Sequence, residues 1–419
     1  MLNVLRVGHK EIADSCYLVL LQGVNQLLPV LIMPYLMIKL GTSGYGYIGF
    51  SLSFIQYLVL LVDFGFNLSA TKNIAVSAEK RARSTVFWNV VAAKTILFFV
   101  AVVIMFLFIA LFDTFQVYSK AIFATFPMLL GSTFTFMWLY QGIGQIRLFS
   151  IINTVSKLLL LPLIFIFVRQ QSDYLLAAFL QSAVFLSTAI LSSIYILTKR
   201  WICCVRPCIE GIKKELSCSF PLFLSNASTS VYTQLTVIIL GFFCVTEVVG
   251  LYSSADRIMR AVCFLFYTPL SQVFFPKISS LAAGSRADAV RLFRQVKVIV
   301  VAVMIVISLV LFASSGWLPS LLGEEYDDIV PLMRIFSFVP LAIGIGGVYG
   351  QLGLIALGNS ETAHSFRNVY FMAALLSIAT VLIFIPLFFA AGACMSAAFT
   401  ELFVAVMMFY NYKKCSLKC

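Results

Sequence analysis

The run SCYLVLLQGVNQLLPVLIMPYLMIKL, Ser15 to Leu40, holds no acidic residue and one basic residue, Lys39. As a helix rising 1.5 Å per residue it reaches ~39 Å, more than the ~30 Å hydrocarbon core of a bilayer. It predicts a membrane-spanning helix. The fourteen residues before it carry the polar and charged side chains of Arg6, His9, Lys10, Glu11 and Asp14. The run is too long for the apolar region of a signal peptide, and no small-residue cleavage site follows it, so it reads as a first span and not a cleaved leader. Polar residues interrupt it on one face: Gln22, Asn25 and Gln26 stand at i, i+3 and i+4. Pro29 and Pro34 free backbone carbonyls, which membranes tolerate where they line a cavity.

Composition extends this reading to the whole chain. Of 419 residues, 61% are hydrophobic and 11% charged, and mean hydropathy is +1.01. Soluble domains are about half apolar and about a quarter charged. A soluble enzyme, a disordered chain and a nucleic-acid binder are excluded, despite the net charge of +12. A transmembrane β-barrel would show short alternating segments. The fold class expected is an all-α polytopic membrane protein. Hydropathy places twelve spans near 15–38, 45–66, 86–112, 117–141, 149–168, 174–197, 218–243, 250–275, 297–316, 331–356, 368–389 and 391–411.

With the N-terminus inside, 21 Lys and Arg residues fall on inside segments, from Arg6 and Lys10 to Lys414 and Lys418. Only Lys39, Lys120 and Arg169 fall outside. The positive-inside rule then puts both termini in the cytoplasm. The outer loops are acidic: Asp113, Asp173, Glu247 and the cluster Glu324, Glu325, Asp327 and Asp328, which reads as a solvated loop. The same basic ends suit contact with anionic lipid headgroups. The ten cysteines are scattered, and Cys203, Cys204 and Cys208 lack a second ligand group at zinc-like spacing, so no metal and no cofactor is expected. The sequon-like Asn67 and Asn226 carry no weight, one abutting a span end and the other inside a span.

A shift of 204 residues brings Tyr45-Gly46-Tyr47 near Gly250-Leu251-Tyr252, and with a one-residue slip sets Thr71-Lys72-Asn73-Ile74 on Pro276-Lys277-Ile278-Ser279. The polar face Gln22, Asn25, Gln26 falls on Asn226, Thr229, Ser230. Six spans separate equivalents, which predicts a parallel internal repeat of two six-helix lobes, 1–205 and 206–419. Repeats with a binding site at their interface are a transporter signature. Helix–helix hydrogen bonding is the alternative use of such polar faces.

Ionisable residues inside spans are costly and point to function. Lys94 and Lys157 lie about two turns in, with snorkelling as the alternative reading. Arg334, at a span end, reads as a snorkelling residue. Asp63 sits near the inner end of the second span, and Asp256, Arg257 and Arg260 lie about two turns into the eighth. Asp256 and Arg260 stand at i, i+4 and can pair, leaving Arg257 to find an anion elsewhere. The expectation is a cationic cavity between the lobes, with Arg257, Arg260, Lys94 and Lys157 suited to an anionic, phosphate-bearing substrate. Gln22, Asn25, Asn226 and Ser230 complete the candidate substrate-binding set. Asp63 and Asp256 are the candidate ion-coupling residues. Tyr232, Tyr252, Tyr267, Tyr140 and Trp138 could stack on sugars or simply pack. No catalytic constellation appears: His9 and His364 are far apart in sequence, no glycine-rich phosphate loop is present, and Asp327-Asp328 stands in a short acidic loop. No enzyme activity is expected.

Several stretches carry a family resemblance. They are Leu21 to Pro29 with Pro34-Tyr35; Asp63-Phe-Gly-Phe-Asn67-Leu-Ser-Ala-Thr71; Trp138-Leu-Tyr-Gln-Gly142; Val249 to Ala255; and Pro276-Lys277-Ile278-Ser279. Together the chain resembles Wzx-type O-antigen flippases, in the polysaccharide-transport branch of the multidrug/oligosaccharidyl-lipid/polysaccharide exporter superfamily. The resemblance implies a twelve-span, two-lobed flippase in the bacterial inner membrane, working beside polymerase machinery. Its substrate would be undecaprenyl-diphosphate-linked oligosaccharide, moved from the cytoplasmic to the outer leaflet by alternating access. Where members often carry a Glu-Lys pair this chain has Asp256-Arg257, and where they often have Asn after the Tyr-Thr step it has Gln234 and Thr236. The competing readings are a multidrug or organic-cation exporter on the same fold, a membrane polymerase or ligase, which the short outer loops oppose, and a structural subunit, which leaves the intramembrane charges unexplained.

Overall fold

The computed structural model describes residues 9–77, 79–358 and 360–416; the side chains of 9–26, 225, 229, 231, 232, 360 and 416 lie outside that description. Among the described residues there is no strand. Among these residues nine helical stretches are long and apolar enough to cross a membrane. Two of them contain a break that makes two spans from one. The helix His9–Asp63 turns at Gly41 (φ 63°), giving α1 (9–40) and α2 (42–63); the last helix turns at Phe389 (φ 51°), giving α11 (360–388) and α12 (390–416). Across this second break the hydroxyls of Thr380 and Ser396 meet at 2.6 Å, so the chain folds straight back on itself.

Between these lie α3 (Lys80–Leu111), α4 (Asp113–Thr133), α5 (Ile146–Leu160, continued by Pro162–Phe167), α6 (Tyr174–Thr198), α7 (Ile209–Phe243), α8 (Thr246–Gly284) and α9 (Arg286–Ser314). The tenth span, α10, is composite: Ile329–Phe336, Val339–Gly347, and a nine-residue π-helix, Val348–Ala356. Each expected span falls on one of these segments; α7 stands outside the nine, its apolar part among the described residues being Thr233–Phe243. The protein is an all-α polytopic membrane protein. Its outer faces are apolar, as lipid requires: Phe99, Val103, Phe106 and Leu107 on α3 are exposed, as are Val298, Val306 and Leu309 on α9.

The chain forms two compact units. Unit 1 comprises residues up to Leu40 with Phe54–Leu224. Its core joins Phe66, Ala70 and Ile74 to Phe87, Trp138, Tyr140 and Phe149. Without a hydrophobic drive between helices in lipid, small residues set the packing. At Gly131 of α4 the backbone at Phe185 and Leu186 of α6 comes so close that no Cβ fits, and nearby Ser182 donates to the Ala124 carbonyl at 3.0 Å.

Unit 2 comprises Gly41–Ser53 with the chain from Ser225 onward. The start of α2 crosses the start of α8 backbone to backbone. A Cβ on Gly46 would run into the Thr246 carbonyl, and one on Gly250 into the Thr42 carbonyl. The contact is reciprocal, since Thr42 and Thr246, like Gly46 and Gly250, stand 204 residues apart. Gly41 ends α1, and Thr42 then offers a backbone N–H to the Glu325 carboxylate at 3.2 Å. Beside that carboxylate Tyr326 is 1% exposed. The acidic loop read as solvated is therefore in part a packed cap on the α2 N-terminus, where a carboxylate opposes the positive end of the helix dipole.

Candidate functional site

In unit 1 the break between Asp63 and Phe66 organises the polar residues. Phe64 (φ 41°) and Gly65 (φ 82°) both take left-handed backbone, which interrupts the helix just after Asp63. A side chain on Gly65 would collide with Leu222, the Ser219 carbonyl and Phe223 of α7, so only glycine lets the two backbones approach. Phe64 stacks on Phe223 with centroids 4.6 Å apart, and the Ser69 and Ser219 hydroxyls meet at 2.6 Å. One turn on, the Asn73 amide donates to Glu215 at 2.9 Å.

At this break Lys94 Nζ donates to Asp63 Oδ1 at 2.9 Å and to the Ser132 carbonyl at 2.8 Å. Lys94 is 1% exposed and does not snorkel; its charge is neutralised by Asp63 inside unit 1. Two residues expected in separate roles, one cation for substrate and one carboxylate for ion coupling, are partners. Lys157 is half-buried on α5. Gln22 and Asn25 have side chains outside the described residues.

In unit 2 the i, i+4 pairing is present: Arg260 Nε donates to both oxygens of Asp256, at 2.9 and 3.0 Å. Arg257 lies over the Tyr45 ring, 5.5 Å from its centroid. Its neighbour is thus an aromatic face, where a cation gains from the ring quadrupole. Arg260 lines a cavity of about 790 Å³ together with Tyr267, Ser271, Gln351, Tyr370 and Glu401. Ser271 and Tyr267 donate to Gln351 Oε1 at 2.8 and 3.2 Å. The π-helix positions this cluster: it carries Gln351, and just before it Gly347 lies so close to the Tyr267 phenol that a Cβ would clash. Extended π-helix is rare and concentrates at functional positions.

Glu401 escaped the sequence reading. It is 9% exposed on α12 and within the electrostatic reach of both Arg260 and Asp256. Its signal was present, as a carboxylate in the middle of the last apolar span. With it the cavity wall holds Arg260, Arg367 and one carboxylate, while Asp256 and Arg257 lie outside its lining. Asn226 is exposed and Ser230 half-buried on α7, and neither lines this cavity, whereas Ser228 between them does. Of the aromatics, Tyr267 reaches the cavity. Trp138, Tyr140 and Tyr252 are buried packing residues, Tyr140 donating to the Ser192 carbonyl at 2.7 Å. Tyr232 lies outside the described side chains. Among the described residues no group of His, Cys, Asp or Glu could hold a metal ion.

The family model described as "Polysaccharide biosynthesis protein" matches residues 12–282. The chain belongs to this family. A relative named "Putative O-antigen transporter" in Escherichia coli (strain K12) is 30% identical over 394 residues, 94% of each chain. One of the same name in Shigella dysenteriae is 27% identical over 401 residues, 93% of this chain and 97% of the relative. Among solved structures, lipid II flippase MurJ in an inward closed conformation matches with a TM-score of 0.74 at 12% identity, over 97% of this chain and 90% of MurJ. An inward-facing multidrug resistance MATE family transporter of the MOP superfamily matches with a TM-score of 0.72 at 14% identity, over 94% and 95%. At such identities the likeness is one of fold. This member of the polysaccharide biosynthesis family therefore has the fold of MOP-superfamily transporters.

Proposed function

We propose that this protein is a flippase that carries undecaprenyl-diphosphate-linked O-antigen oligosaccharide from the cytoplasmic to the outer leaflet of the bacterial inner membrane. The reading rests on family membership and on the two O-antigen transporter relatives. The observation that carries it within the molecule is Arg260 on the wall of a cavity that also presents the Gln351 amide, the Ser271 hydroxyl and the Tyr267 and Tyr370 phenols. Sugars offer hydroxyls to such groups, and a guanidinium matches phosphate oxygens by its planar fork. In this proposal the diphosphate docks on Arg257 and Arg260, and phosphate takes the place of the Asp256 carboxylate on Arg260. Lys157 adds cationic charge, and Lys94 does so once Asp63 is released or protonated. Gln22, Asn25, Asn226 and Ser230 are the proposed sugar-binding residues, Asn226 and Ser230 acting from outside the Arg260 cavity. The halves 1–205 and 206–419 move against each other in alternating access, both termini stay cytoplasmic, and the protein itself performs no bond chemistry. Asp63 and Asp256 are the proposed coupling carboxylates. An inside-negative potential favours outward movement of an anion by about 2.3 kcal/mol per charge per 100 mV, so coupling adds to a drive that already exists. O-antigen polymerase machinery is the proposed downstream partner.

The test is flipping in proteoliposomes that contain lipid-linked oligosaccharide, read with an outer-leaflet probe under an imposed potential and then under a pH gradient. Arg257→Ala with Arg260→Ala should abolish movement while the protein remains folded. Intact flipping in that variant would remove the site assignment. Efflux of a cationic dye with no movement of the lipid-linked sugar would favour a drug exporter on the same fold.

A further inference from the structure

Two further cavities in unit 2 lie away from Arg260. The wider one, about 1170 Å³, sits where α9 begins and α12 ends. Its lining holds Arg286, Arg291, Arg294, Lys297 and Lys413 against one carboxylate, Glu361. The narrower one, about 630 Å³, is lined almost wholly by apolar side chains of α9, α10 and α12. Lys297, Tyr349 and Phe409 line both, so the two adjoin and form a groove with a basic end and an apolar end.

The sequence builds this groove from two helical stripes. On α9 the lining residues Arg291, Arg294, Val298, Val301 and Ile305 follow 3- and 4-residue steps, basic first and then apolar. On α12 Leu402, Val406, Phe409 and Lys413 do the same in reverse. Such spacing sets each stripe on one helix face. Both stripes change character at the same level, marked by Lys297 and Phe409. An aromatic floor lies at that level: Tyr349 meets Phe409 at 5.0 Å and Tyr412 at 5.4 Å between centroids. Tyrosines at such a boundary mark the headgroup level of a membrane. From Lys297 to Ile305 the apolar part runs ~12 Å along α9. That is most of one leaflet's hydrocarbon depth, ~15 Å.

We infer that unit 2 carries a binding site for one anionic membrane phospholipid. Its phosphodiester headgroup is held by the basic end, at Arg291, Arg294 and Lys297, and an acyl chain lies in the apolar groove between α9 and α12. Charge complementarity selects an anionic head over a zwitterionic one, and the apolar continuation selects a lipid over a soluble phosphate. Basic pockets between transmembrane helices are a known form of lipid recognition. The site is independent of the transport proposal.

The full-length protein, purified in an uncharged detergent, tests the inference by native mass spectrometry and thermal unfolding. The probes are dioleoylphosphatidylglycerol, dioleoylphosphatidylcholine and glycerol 3-phosphate. Phosphatidylglycerol should stay bound and raise the unfolding midpoint, and the other two should not. Arg291→Gln with Arg294→Gln should weaken phosphatidylglycerol binding about 25-fold, about fivefold per cation. Val301→Trp should weaken it by filling the groove with the cations left in place, and it carries the test if the double variant fails to fold. Lys199→Gln with Arg200→Gln, basic residues elsewhere, should leave binding unchanged. Equal binding of the two phospholipids, unchanged affinity in R291Q/R294Q, or full competition by glycerol 3-phosphate would each overturn the assignment. So would displacement of phosphatidylglycerol by an equimolar polyprenyl diphosphate, which would make the groove a site for the carried lipid.

Discussion

Lys94 and Asp63 illustrate how a single buried charge is tolerated in a membrane protein. Lys94 is enclosed, so its ammonium relies on the Asp63 carboxylate and the Ser132 carbonyl in place of water. Removing one partner of a buried pair costs about 3–5 kcal/mol, because the survivor is stranded. Asp63→Asn should therefore destabilise the protein by about that much in chemical denaturation in mixed micelles. Lys94→Met should cost less, since Asp63 is 30% exposed and can keep water. The double variant D63N/K94M should recover much of the loss, and strict additivity of the two single effects would refute the pairing argument. At this scale the sequence was informative about which residues are special and less so about who meets whom. The i, i+4 spacing of Asp256 and Arg260 was legible because both lie on one helix. The Lys94–Asp63 pair joins two helices, and no spacing rule reaches across that gap. Glu401 was detectable as an intramembrane carboxylate, but its proximity to Arg260 depends on the folding of α12 against α8.

Among the elements, the apolar runs marked each span, because lipid imposes a length and a polarity on every crossing. The breaks were harder to see. Gly41 and Phe389 reverse the chain within otherwise continuous apolar sequence, and the π-helix in α10 leaves no mark in hydropathy. The close crossing of α2 and α8 was visible as two similar glycine motifs but not as a contact. Gly46 and Gly250 have no room for even a methyl group against backbone, so Gly250→Leu should exceed the ~1–3 kcal/mol of ordinary overpacking. The expected result is loss of folded protein on size-exclusion chromatography in detergent. Gly284→Ala, on the same helix with nothing within 4 Å of its new carbon, should change stability by less than about 0.5 kcal/mol. Equal tolerance at the two positions would mean that the crossing is looser than described.

For the molecule as a whole, the asymmetry of Lys and Arg is the property that the sequence states most openly. It predicts which thiols face which compartment. Cys203, Cys204 and Cys208 are exposed on the connection between α6 and α7. A membrane-impermeant maleimide should leave them unmodified in intact cells and modify them in inverted vesicles, with peptide mapping as the readout. Lys120→Cys should label in intact cells. The opposite pattern would invert the proposed topology. Hydropathy gives no sign, by contrast, that Gly41–Ser53 packs within unit 2 although its neighbours in sequence belong to unit 1.

The cap on α2 also imposes an order in time. Thr42 and Glu325 are 283 residues apart in the chain. At about 5–20 residues per second the ribosome delivers the carboxylate about 15–60 s after the amide it will cap. Gly46 likewise waits about 10–40 s for Gly250, 204 residues further on. The opening turns of α2 are thus synthesised among the first segments and completed among the last, and the nascent chain has to keep them in the membrane, undocked, while most of the protein is made.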